Sequence, residues 1–173
     1  VTFQAKEYVS QLRVDPDLFD FNLIKTWLTI SDKESVPVHD HSDAHLAFVY
    51  YVNVPDKAPT TPIYFMNTAK PNDLINNMFH IQGNNAALVK EWNHYNSLTW
   101  NWNPFEGMML MFPAKLRHYT DTGFPGARDN HTTNIDELRS RRISIAGDFL
   151  LTYKKKEGIS FGIQPTSNWK LFT

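Results

Sequence analysis

The stretch VPVHDHSDAHLAFVYYVNVP, residues 36 to 55, crowds three histidines and two aspartates into seven positions, just ahead of an apolar, aromatic run. Imidazole and carboxylate are the groups that ligate Fe(II), Mn(II) or Zn(II) where no thiolate is offered, and the chain has no cysteine. In an extended segment, residues two apart point to one side. His39, His41 and Asp43 are therefore expected to face together, with Asp40 and Ser42 facing away. Two ligand pairs are nested here: H-x-H from His39 and His41, and H-x-D from His41 and Asp43. A further ligand must come from elsewhere, and His118 in FPAKLRHY, just past the apolar run MMLMF, is the best candidate. Two ligands near the start of one strand and one from a late strand make a facial triad, which leaves positions on the metal for a co-substrate and dioxygen. The competing reading is a polar loop that happens to contain histidines.

A second signal follows His118. In RSRRISIAG, a strand beginning Arg142-Ile143-Ser144 turns Arg142 and Ser144 to one inward face. An arginine inside a small barrel is strongly unfavourable unless an anion pairs with it. A carboxylate gripped by the planar guanidinium, with a hydroxyl alongside, is the natural partner. Otherwise Arg142 is a strand-end residue reaching solvent or a surface aspartate.

The elements that must position these groups read as mostly β. The patterns at 21–30 (FNLIKTWLTI), 46–54 (LAFVYYVNV), 62–67 (PIYFMN), 97–102 (SLTWNW) and 142–153 (RISIAGDFLLTY) carry β-branched and aromatic residues, and 108–112 (MMLMF) is a short apolar run read as a buried strand. Pro55, Pro113 and the turn at Asn103–Gly107 punctuate them. Residues 3–12 suit a short amphipathic helix or an edge strand, 31–37 a polar turn, and 86–92 a short helix. The segment 119–139 is too long for a simple hairpin connection and is a candidate lid or substrate loop. Many short strands with marked turns imply an all-β sandwich or barrel with few helices. At 173 residues the chain suits one domain over 1–173.

Composition narrows the function classes. Hydrophobic residues make up 42% and charged residues 20%, an ordinary globular balance, and the net charge of −1 carries no electrostatic footprint for nucleic acid or anionic lipid. No run of apolar residues is long enough to span a bilayer and the N-terminus lacks a signal-peptide pattern, so a cytoplasmic location is the default expectation.

Three segments in order resemble the Fe(II)- and 2-oxoglutarate-dependent oxygenases, and in particular the small bacterial and phage-type members related to prolyl hydroxylases. HDHSDAHLAFVYYVNVP looks like that family's metal-binding segment and the strand ending in Tyr-Tyr. PFEGMMLMFPAKLRHY is similar to the segment that carries its distal histidine, and RRISIAGDF to the strand that carries its 2-oxoglutarate arginine. The resemblance covers roughly residues 36 to 153. It implies a double-stranded β-helix, a jelly roll like that of cupins. It also implies Fe(II) held by His118 and two residues of the first segment, either His39 with His41 or His41 with Asp43. Arg142 would bind the distal carboxylate of 2-oxoglutarate, beside Ser144 and the Tyr51 hydroxyl, with Arg141 as substitute. The activity implied is hydroxylation of a peptidyl or small-molecule substrate by dioxygen, with 2-oxoglutarate as co-substrate. Two rivals share the fold class. A cupin-type metal enzyme would use the same histidines without needing Arg142. A non-catalytic jelly roll would use Trp92, Trp100 and Trp102 as stacking platforms, although alternation puts Trp100 and Trp102 on one face, read here as core.

Overall fold

The computed structural model describes residues 1–31, 35–55, 62–67, 89–93, 95–120, 134–154 and 162–170. Among them the chain runs α1 (Thr2–Gln11), β1 (Phe19–Ser31), β2 (Val36–His39), β3 (Leu46–Asn53), β4 (Ile63–Met66), β5 (Thr99–Trp102), β6 (Met109–Pro113), β7 (His118–Thr120), α2 (Ile135–Arg139) and β8 (Arg142–Tyr153). The strands form two antiparallel sheets, ordered β1-β8-β3-β6 and β2-β7-β4-β5. This is the jelly roll of a double-stranded β-helix. No described helix is long and apolar enough to cross a membrane.

Each face of the larger sheet has its own core. On the outer face, Ala5 and Val9, one helical turn apart on α1, are buried against Leu46, Phe48 and Phe149. That pairing decides the N-terminal segment in favour of a helix, since its apolar residues cover a sheet face and pair with no strand edge. Between the sheets lie Ala44, Ala47, Ile63, Phe65, Phe112 and Ala114.

β1 serves both faces because of a bulge. Leu23 pairs with Phe149 and Lys25 with Asp148, so Ile24 is the extra residue. An inserted residue inverts the facing of everything after it. Before the bulge Phe19 and Phe21 pack on the helix side; after it Trp27 and Thr29 point into the cleft between the sheets. This is why the alternation of FNLIKTWLTI is only partial.

Gly147 marks a close approach beside the bulge. A Cβ there would lie 2.7 Å from the Lys25 carbonyl oxygen and 2.7 Å from the Phe48 ring. Phe48 could yield only by leaving the helix-side core, and the backbone of β1 cannot yield without opening the pairing. Gly147→Ala is therefore expected to destabilise the fold by about 1–3 kcal/mol, the usual cost of overpacking. A lowered urea midpoint with an unchanged slope would show it.

Three sequence expectations need correction. The 31–37 turn is too long, since Val36 and Pro37 already belong to β2, the strand that pairs with β7. Trp102 is 55% exposed. It ends β5, which among the described residues is an edge strand paired only with β4, whereas Trp100 stacks on Phe65 at 5.9 Å. Of the helix expected at 86–92, residues 86–88 fall outside the described residues, and 89–92 is not helical. Most of the 119–139 segment is also outside them, apart from the end of β7, Asn134 and α2, whose N-terminus Asn134 caps by accepting from the Asp136 amide at 3.0 Å.

Candidate metal centre

β2 and β7 are neighbours, and His39 and His118 are directly paired across them. His41 follows two residues after β2, with its amide held by the Ala114 carbonyl at 2.9 Å. The three rings form a triangle with centroid separations of 4.3 Å (His39–His118), 5.3 Å (His39–His41) and 5.2 Å (His41–His118). Their candidate ligand atoms all lie within 4.8 Å of one another.

The hydrogen bonds decide which nitrogen each ring presents. His39 Nδ1 donates to the Pro37 carbonyl at 2.8 Å, and His118 Nδ1 to the Leu116 carbonyl at 2.9 Å. His41 Nδ1 contacts the Asp148 carboxylate at 2.5 Å. Acceptors on all three Nδ1 atoms leave the Nε2 lone pairs for a metal, the usual support of ligating histidines. His118 is buried. Burial pushes its pKa down to about 4, against the Leu116 hydrogen bond, with His39 and His41 lowering it further and Asp40 raising it. The ring is thus neutral, as a ligand must be.

The same depression has a consequence for the metal-free protein. Between the ordinary value of 6.5 and about 4, the unfolded chain carries a proton on His118 that the folded chain does not. Stability then rises with pH across that window and is lost on acidification. Urea midpoints at pH 7 and pH 5 should differ in that sense, and by less in His118→Phe.

Asp43 does not join the trio. The chain turns at Ser42–Asp43, with the Ala44 amide reaching back to the His41 carbonyl at 3.4 Å. That turn breaks the two-residue alternation after His41 and leaves Asp43 exposed. His45 is also apart: its Nδ1 accepts from the Leu151 amide at 2.9 Å.

The trio opens on a cleft between the sheets, about 600 Å³ including its mouth, whose opposite wall carries Tyr51, Arg142 and Ser144. Tyr51 and Ser144 are cross-strand partners on β3 and β8. Burial lowers the pKa of Arg142 and raises that of Tyr51, and each opposes the other's shift. Asn53, past a bulge at the end of β3, donates to the Arg139 and Arg141 carbonyls at 3.1 and 2.6 Å. These bonds fix the point where β8 begins. Arg141 stands one residue before β8 and does not line the cleft.

Sequence reading overlooked Asp148. It lies at the spacing Arg142, Ser144, Ala146, Asp148 along one face of β8, a single carboxylate in an otherwise apolar half-strand. A charge at a buried-strand position was the signal.

A jelly roll whose cleft holds three converging imidazoles defines a double-stranded β-helix protein with side chains that could hold a metal ion. Residues 25–148 match the model of the family described as "Putative 2OG-Fe(II) oxygenase". The chain belongs to that family, which implies Fe(II), 2-oxoglutarate and dioxygen as its reaction partners. No curated protein matches the chain.

Proposed function

We propose that the protein is an Fe(II)- and 2-oxoglutarate-dependent hydroxylase of a peptidyl or small-molecule substrate. One observation carries this reading: a single cleft holds both the imidazole trio and, across it, Arg142 with Ser144 and Tyr51. The donor set suits iron, because three imidazoles with their Nδ1 atoms engaged offer Nε2 to a borderline divalent ion. A buried carboxylate at Asp148, with its Oδ2 lacking any hydrogen-bond partner among the described residues, also suits a cation close by.

His39, His41 and His118 would hold the metal. Bound Fe(II), with dioxygen and 2-oxoglutarate, supplies oxidation of a C–H bond while the co-substrate leaves as succinate and carbon dioxide. Arg142 would grip the distal carboxylate with its planar fork. Ser144 donates a hydroxyl beside it, and Tyr51, kept protonated by burial, donates another. Val49, Ile63 and Phe112 give the cleft apolar walls.

The test is succinate release from 2-oxoglutarate, with and without Fe(II), against a panel of peptides and metabolites. Iron-dependent release stimulated by one panel member is the expected result. Metal binding without any 2-oxoglutarate turnover or binding would point to a cupin-type enzyme and overturn the proposal.

A further inference from the structure

A facial triad of two histidines and one carboxylate brings a negative charge to its metal; three neutral imidazoles bring none. The only charged side chain touching the trio by a hydrogen bond among the described residues is Asp148. It is fully buried, at 0% exposure, on the cleft-facing row of β8. Oδ1 lies 2.5 Å from His41 Nδ1, and Oδ2 has no partner among the described residues. His39 and His118, by contrast, rest on backbone carbonyls, which are neutral. A carboxylate in that position is costly unless a positive charge lies within reach. A cation held by the Nε2 atoms of the trio, on the far side of the His41 ring, would repay it.

We infer that Asp148 is a positioning residue that supplies, through His41, the negative charge a carboxylate ligand would otherwise bring to the metal. Three effects follow from the one contact. The carboxylate fixes His41 in the tautomer with Nδ1 protonated. It holds the ring plane, and it raises the basicity of Nε2 by drawing on the Nδ1 proton. β8 thereby serves the reaction at two points, with Arg142 at its start for the co-substrate and Asp148 in its middle, six residues on, for the metal. The inference rests on the metal-site reading of His39, His41 and His118.

The test is a four-protein cycle of wild type, Asp148→Asn, His41→Asp and the double variant, titrated with Co(II) and followed by its visible absorption. Asp148→Asn keeps the shape and removes the charge, and is expected to weaken Co(II) binding by about 10–100-fold, the usual effect of losing such a partner. In the His41→Asp background the imidazole that relays the charge is gone, and Asp148→Asn should change Co(II) binding by clearly less. If the single Asp148→Asn protein does not fold, Asp148→Ser, which also removes the charge, reads the same claim. Equal Co(II) affinity in wild type and Asp148→Asn overturns the inference alone. So does equal weakening in both backgrounds, which would mark Asp148 as structural. Absence of Co(II) binding to wild type overturns the metal-site reading beneath it.

Discussion

His118→Ala is expected to abolish stable Mn(II) or Fe(II) binding while the β-sheet signal in circular dichroism persists. His118 is central to the trio by position. Its β7 pairs with β2 on one side and β4 on the other, so the ring is held by its sheet neighbours His39 and Phe65 and by Phe112 from the opposite sheet. Removing it leaves two nitrogens from one short segment, and the loss should exceed the roughly 10–100-fold caused by losing a partner one step removed from the ion. Calorimetry with Mn(II) in the absence of oxygen measures it. His39→Ala and Asp43→Ala form the paired control. His39→Ala should lose the metal and Asp43→Ala should keep it, because Asp43 points to solvent beyond the turn. Retention of metal by both His39→Ala and His118→Ala would mean that the trio is not a metal site.

The second large effect concerns Arg142. With Mn(II) in place of iron, wild-type protein should bind 2-oxoglutarate, and Arg142→Lys should bind it more weakly, because an ammonium keeps the charge but not the bidentate fork. Arg142→Met should lose about 2–5 kcal/mol, since the distal carboxylate would be desolvated without a partner. Metal affinity should barely change in either variant, because Arg142 is across the cleft from the histidines. Metal-loaded wild type that fails to bind millimolar 2-oxoglutarate would sink the co-substrate assignment, and Arg142 would then be a structural residue.

Much of this protein was legible from residue order. The all-β class followed from short β-branched and aromatic runs stopped by proline and glycine, and β8 begins and ends where its pattern does, at Arg142 and Tyr153. The two-residue period of extended chain offered His39 with His41 and, equally, His41 with Asp43. His118 followed from a histidine placed just beyond a buried strand. These are local properties: side-chain direction along a strand, and the residue types that end one.

What only the tertiary structure decided are the features that depend on a break in that period or on a partner far away in sequence. The turn at Ser42–Asp43 swings Asp43 out, and the bulge at Ile24 swings Trp27 in; a one-residue change in phase inverts every side chain that follows. The choice of helix for residues 2–11 waited on the sheet face they cover, because a short amphipathic segment has little preference of its own. Asp148 meets His41 across 107 positions. Nothing local to either residue encodes that contact; it exists because β8 runs antiparallel to β3 in the larger sheet, and the two sheets close on one cleft.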